Sequence, residues 1–122
     1  MITLYKKLRT PPYDITKDDC DKENITYEDE RGITPLHLAC IFHSIYFIKL
    51  LIKNGADIDK PDVNGHTPFH YACMNNRHLT LEDFEYLSSI GDVLKVDNSG
   101  KSSIDFIVQY QTNLEIRKFF NC

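Results

Sequence analysis

An all-α fold built from short helix pairs stacked side by side is what this 122-residue sequence predicts, and three observations predict it. The phrase Thr34-Pro35-Leu36-His37-Leu38-Ala39-Cys40 returns 33 residues on as Thr67-Pro68-Phe69-His70-Tyr71-Ala72-Cys73. Self-similarity at such a period is the signature of a stacked repeat architecture. The tetrads Asp29-Glu30-Arg31-Gly32 and Asp62-Val63-Asn64-Gly65 precede the two phrases, and a third, Asp97-Asn98-Ser99-Gly100, leads into Ser102-Ser103-Ile104-Asp105. Apolar residues then recur at steps of three and four, as in Leu36, Ala39 and Cys40 followed by Phe47, Ile48, Leu51 and Ile52, the spacing of one helix face.

The elements follow in order. Residues 1–9 make a short helix with Ile2, Tyr5 and Leu8 on one side, stopped by Pro11-Pro12. Residues 13–28 are polar around Asp18-Asp19-Cys20-Asp21-Lys22-Glu23, a composition that predicts a loop or partly disordered arm. Three helix pairs come next, at about 35–42 with 45–53, 68–75 with 80–89, and 102–110 with 113–120. Each tetrad suits a type I turn, because Asp bonds its own backbone at the first position and Gly accepts the exit geometry at the fourth. Thr34 and Thr67 stand before prolines, which push them out of helical backbone and into N-cap duty. Pro35 and Pro68 then occupy the first helical position, where a missing N–H is harmless. His37 and His70, at the third, reach back to the capping threonine; Ser102 with Asp105 comes close to a capping box. Gly55 and Gly91 are predicted to end helices as left-handed caps.

Taken together, these residues resemble the ankyrin repeat. The family pattern of a turn, then Thr-Pro-Leu-His-x-Ala, then a helix ending Leu-Leu-x-x-Gly-Ala, is met almost in full by residues 29–61, which close on Leu50-Leu51-Ile52-Lys53-Asn54-Gly55-Ala56. A second copy, 62–96, keeps the start but carries extra residues across Asn75-Asn76-Arg77-His78 and Leu81-Glu82-Asp83-Phe84 and one residue fewer after Gly91, so its helix-to-helix loop is expected to be longer than usual. The third, 97–122, is degenerate and stops at Phe119-Phe120, as a capping repeat with an unpartnered outer face should. The resemblance covers residues 29–122 and implies an ankyrin-repeat α-solenoid. Residues 1–28 lie outside it, as an N-terminal arm or cap.

Composition narrows the function classes. No apolar run approaches a membrane span of ~20 residues, and the start lacks a signal-peptide apolar region. A cytoplasmic or nuclear location is therefore expected, with Cys20, Cys40, Cys73 and Cys122 as reduced thiols. A formal charge of −4 gives no basic footprint for nucleic acid or anionic membrane. Richness in Ile, Lys, Asn, Tyr and Phe matches AT-heavy codons, as in genomes of certain large DNA viruses or parasites, for which the partner would be a host protein.

Chemistry-bearing motifs are few. His37-x-x-Cys40 and His70-x-x-Cys73 have residue types that ligate zinc. As copies of one repeat position they read as caps and small core residues instead, and Asp105 and Val108 replace them in the third copy. No phosphate loop, nucleophile elbow or His-Glu-x-x-His helix is present. No catalysis, cofactor or metal is expected. What the resemblance implies is non-catalytic binding of another protein through a concave face of turn tips and first helices, by a chain that is monomeric alone. The role this implies is that of a regulator, inhibitor or adaptor. The alternatives are a subunit or assembly factor of a larger complex, and a metal-binding protein using the His/Cys pairs. Carried over position by position, the partner-binding residues are Glu30, Arg31 and Ile33 at the first tip, Val63, Asn64 and His66 at the second, and Asn98, Ser99 and Lys101 at the third. On the helices they are Ile41 and Phe42, then Tyr71, Met74 and Asn75. Aromatic and Met residues at a desolvated centre are typical anchors. A competing role for Ile41 and Phe42 is to be covered by the arm through Leu4, Tyr5, Leu8 and Tyr13.

Overall fold

Every helix start that the sequence marks with a hydroxyl and a proline or carboxylate is formed by those groups. In α3 (Pro35–Phe42) the Thr34 hydroxyl accepts the His37 N–H at 3.3 Å, while His37 Nδ1 accepts the Thr34 N–H at 3.1 Å. In α5 (Pro68–Asn75) Thr67 and His70 repeat the exchange at 3.1 and 2.9 Å. Helix α7 (Ser103–Tyr110) opens with Asp105 Oδ2 accepting the Ser102 N–H at 2.8 Å. Helix α6 (Leu81–Ile90) has the same box from Thr80 and Asp83. Thr80 and Ser102 are thus caps outside their helices, which shifts both starts one residue from the sequence expectation.

The computed structural model describes residues 3–11, 13–42, 45–75 and 80–110. The remaining elements are α1 (Thr3–Arg9), a 3-10 turn at Lys17–Asp19, α2 (Lys22–Thr26) and α4 (Ile45–Lys53). Among the described residues the only extended pairing is a bridge between Val96 and Ser102. The extra residues at 76–78 and the expected helix at 113–120 lie outside the described residues.

Helices α1, α3, α5 and α7 pack each on the next to form one row, with α4 behind α3 and α2 against both α1 and α3. Behind this row lies one core that includes Leu4, Leu8, Leu36, Ile48, Leu51, Phe69, Phe84, Leu87 and Ile107, with Phe84 and Leu87 supplied by α6. Full burial of such a side chain stabilises by ~1.5–3 kcal/mol.

Residues 13–28 depart from the expectation of a loose arm. Ile15, Cys20 and Ile25 are buried in the core, and the charges around them serve local structure. Asp21 caps α2 by accepting the Asn24 N–H at 2.8 Å, and Lys7 Nζ pairs with Asp19 at 3.1 Å. Apolar residues five apart match neither helix nor strand period, so pattern reading missed them.

The two capping glycines differ. Gly55 has φ +101, with Gly55 N–H on Ile52 O and Ala56 N–H on Leu51 O, both at 3.0 Å. That is the paired closure of a Schellman cap. Gly91 is extended (φ −117, ψ 167), which corrects the left-handed assignment. Glycine suits that position for space, since a Cβ would stand 2.8 Å from Phe69 Cδ2 and 3.1 Å from Ile58 Cγ2.

Candidate functional site

Three copies of one turn run along the edge of the stack. In each, Asp Oδ1 accepts two backbone N–H groups: Arg31 and Ile33 on Asp29, Asn64 and His66 on Asp62, Ser99 and Lys101 on Asp97, all between 2.8 and 3.0 Å. The closing glycines Gly32, Gly65 and Gly100 sit at φ +78, +80 and +86. The turns are also laced to one another. Val63 N–H donates to Arg31 O at 2.9 Å, Asn98 N–H to Asn64 O at 3.0 Å, and Asn98 Nδ2 to Val63 O at 3.0 Å. A Cβ on Gly65 would lie 2.6 Å from Asn98 Oδ1, so this glycine also permits the close approach of the next tip.

Beneath the tips the histidines tie one unit to the next. His37 Nε2 donates to His66 O at 3.0 Å, and His70 Nε2 to Lys95 O at 2.9 Å. With Nδ1 accepting the threonine N–H, both ring nitrogens of each histidine are engaged, which fixes the neutral Nε2–H tautomer. Burial is the main force lowering the pKa of both rings. Cys40 and Cys73 are buried in the core, and burial pushes their thiols far up. Cap and core roles account for both His/Cys pairs. Among the described residues no three His, Cys, Asp or Glu groups cluster to hold an ion.

The proposed contact residues divide into three sets. Glu30, Arg31, Val63, Asn64, Asn98, Ser99 and Lys101 are exposed on the tips, with Val63 60% exposed. Ile33 is buried, so it belongs to the core rather than the rim; the chain turns inward there to start α3. His66 and Tyr71 are half-buried and hydrogen-bonded: His66 Nε2 to Asp97 Oδ2 at 2.9 Å, and the Tyr71 hydroxyl donating to Asp62 Oδ2 at 2.5 Å. Burial, then the bond to Asp62, pushes the Tyr71 phenol up. Met74 and Ile41 are half-buried, whereas Phe42 is 66% exposed. The side chain of Asn75 lies outside the described residues.

Five of those positions meet in one place. Arg31, Ile33, Ile41, Phe42 and Tyr71 line a recess of 240 Å³ together with Tyr5, Arg9 and Leu38. Tyr5 and Arg9 come from α1, a segment that the repeat pattern did not reach. Their four-residue spacing, one turn of a helix, was the available signal. Helix α1 buries Leu4, Tyr5 and Leu8 on α3 yet leaves Phe42 and Tyr13 exposed. The arm therefore covers the flank of α3 and not its exposed end. Chemically, the site offers donors, aromatic faces and an apolar floor, a set suited to binding.

Comparison with known proteins gives a consistent picture. A family model of ankyrin repeats in three copies matches residues 6–98. It thus takes in most of the segment before Asp29 and ends at the third turn. Human ARF GTPase-activating protein GIT1 is 42% identical over 46% of this chain and 7% of its own length. Ankyrin repeat protein OPG189 of Variola virus is 33% identical over 65% of the chain and 15% of its own length. NF-kappa-B inhibitor alpha of Gallus gallus is 38% identical over 44% of the chain and 17% of its own length. The chain thus spans less than a fifth of each of these three relatives. Among the described residues no helix is long and apolar enough to cross a membrane.

Proposed function

We propose, from the premise that this chain belongs to the ankyrin-repeat family, that it binds a partner protein through its turn tips and first-row helices and thereby regulates or inhibits that partner. Ankyrin repeats are protein–protein interaction modules, generally non-catalytic, so the family supports binding and the finer role is our reading. The observation that carries it is the turn ladder. Exposed side chains at Arg31, Val63, Asn64, Asn98 and Lys101 stand on a backbone already fixed by tip-to-tip hydrogen bonds. A surface ordered beforehand loses little entropy when a partner docks. The likeness to a protein named as an inhibitor of NF-kappa-B favours inhibition over tethering.

In this reading residues 1–28 cap the stack, 29–61 and 62–96 are repeats, and 97–122 is the closing one. The buried thiols of Cys20, Cys40 and Cys73 suit a reducing cytoplasm or nucleus. The test is affinity capture from cells with the wild-type chain and with an Arg31→Glu/Val63→Asp/Lys101→Glu variant, each bound partner being mapped by hydrogen exchange. Loss of the partner in the variant and protection of residues 29–34, 62–67 and 97–102 is the expected result. Unchanged capture, with protection only on α4 and α6, would overturn the reading.

A further inference from the structure

We propose that the recess between α1, α3 and α5 holds a short acidic segment of the partner protein, with one apolar side chain against Ile41 and Phe42 and flanking carboxylates on Arg9 and Arg31. This deepens the reading above and rests on it.

Charge is the first argument. The chain carries 18 acidic and 14 basic residues, yet both charged residues lining this recess are arginines. Both are exposed. Two carboxylates stand next to lining residues and both are engaged: Asp29 by the Tyr5 hydroxyl at 2.7 Å and the N–H groups of Arg31 and Ile33, and Asp62 by the Tyr71 hydroxyl and the N–H groups of Asn64 and His66. Asp29 and Glu30 line an adjoining hollow that shares Tyr5, Arg9 and Arg31 with the recess, so Glu30 stands beside the two arginines but outside the recess itself.

The guanidiniums are held in place without being saturated. Arg9 stacks over the Tyr5 ring, 5.5 Å to its centroid, with Nη1 3.5 Å from the Tyr5 oxygen. Arg31 Nη2 stands 3.8 Å from Asp29 Oδ2, which is ion-pair distance and too long for a hydrogen bond. Each guanidinium has five donors in a planar fork that matches a carboxylate bidentately. Oriented but underused arginines beside an apolar floor define a mixed acidic and apolar ligand.

Size sets the form of that ligand. The apolar recess itself holds 240 Å³, below the roughly 300–1,000 Å³ of small-molecule sites, and an adjoining 590 Å³ hollow that shares Tyr5, Arg9 and Arg31 leaves space for the flanking residues of a peptide. The recess suits one anchoring side chain rather than a cofactor. Phe42, largely exposed at its edge, supplies the apolar contact that such an anchor would desolvate.

The experiment pans a random peptide library against the full chain and measures the enriched peptides by fluorescence anisotropy. Enrichment of Leu, Ile or Phe flanked by Asp or Glu is expected. Arg9→Glu and Arg31→Glu should each weaken binding by about tenfold, the scale of losing one charge-assisted contact. Phe42→Ala should weaken it comparably, while Lys53→Glu on α4 leaves it unchanged. All four sites are exposed, so unchanged melting curves are expected to accompany these variants. Enrichment without acidic residues, indifference to both arginine substitutions, or no enrichment at all would overturn the inference. If Val63→Asp still abolished capture of a folded partner, the broader reading would survive that failure. Self-association abolished by Arg31→Glu would assign the recess to a second copy and also overturn it.

Discussion

Removing the His70 ring tests whether the repeat is held together by directed hydrogen bonds or only by packing. In the native fold Nδ1 accepts the Thr67 N–H at 2.9 Å and Nε2 donates to Lys95 O at 2.9 Å, with both His70 and Thr67 almost wholly buried. His70→Ala leaves that N–H and that carbonyl without partners, at ~1–3 kcal/mol each, and opens a cavity besides. A total loss of about 4 kcal/mol is expected, a large part of the 5–15 kcal/mol that about spans whole-domain stability. Asn and Gln separate the two bonds. Asn Oδ1 sits near the place of Nδ1 and keeps the cap; Gln reaches towards Lys95 and keeps the cross-link. His70→Asn and His70→Gln should therefore each lose less than His70→Ala in urea melts followed by circular dichroism. A pH series adds a second reading. Burial lowers the folded pKa of His37 and His70, so the unfolded chain binds more protons below about pH 6.5. Stability is then fully present above that pH and falls as pH drops towards the folded pKa. His70→Gln should flatten the decline. Equal losses in all three variants, with an unchanged pH slope, would refute the hydrogen-bond account and leave cavity formation alone.

Three further outcomes follow from the same geometry. Gly65→Ala should destabilise by more than Gly100→Ala in urea melts, because both have positive φ but only the first meets Asn98 atoms at 2.6 and 2.8 Å; the second should show conformational strain alone, about 1 kcal/mol. Cys40 and Cys73 should resist thiol-reactive reagents at pH 8 in the folded chain and react on addition of urea, as mass spectrometry of labelled peptides would show, because burial holds both thiols protonated. Burial alone would raise the Asp97 carboxyl, but hydrogen bonds from the Ser99 hydroxyl and the Lys101 and Ser99 N–H groups, with His66 beside it, hold it at about 2. Its contribution of roughly 2 kcal/mol is present above the unfolded carboxylate pKa and is lost as pH falls from about 4 towards 2. Asp97→Asn should remove that part of the acid transition, read by circular dichroism.

Legibility in the sequence tracked how local the determining interaction is. The turns, the threonine and serine caps and the starts of α3 and α5 depend on residues within four positions of one another, and the repeat period displayed each more than once. Gly91 was misread because its requirement comes from Phe69 and Ile58, distant in the chain and adjacent in space. Ile33 was placed on the rim by analogy with His66 and Lys101, the equivalent positions after the other two turns. Its apolar side chain instead goes into the core. Residues 13–28 hid their three core contacts under a run of charges. The recess needed Tyr5 and Arg9 beside Arg31, a juxtaposition made by α1 packing on α3 and written in no single segment.

The same bonds that stack the chain also set the distance between the side chains it presents. Arg31 O accepts the Val63 N–H, and Asn64 O accepts the Asn98 N–H, so each tip is held by its neighbour's backbone. The His37 and His70 rings brace the residues just after and before those tips, at His66 and Lys95. A lesion in a histidine therefore acts in two ways: it weakens the fold and it loosens the spacing of Arg31, Val63 and Asn98. If so, His37→Gln should weaken partner binding at temperatures where the chain is still folded, and should do so chiefly by raising the off-rate, since steering by the exposed charges is untouched. An off-rate equal to wild type would mean that the tips hold their spacing without the histidine brace.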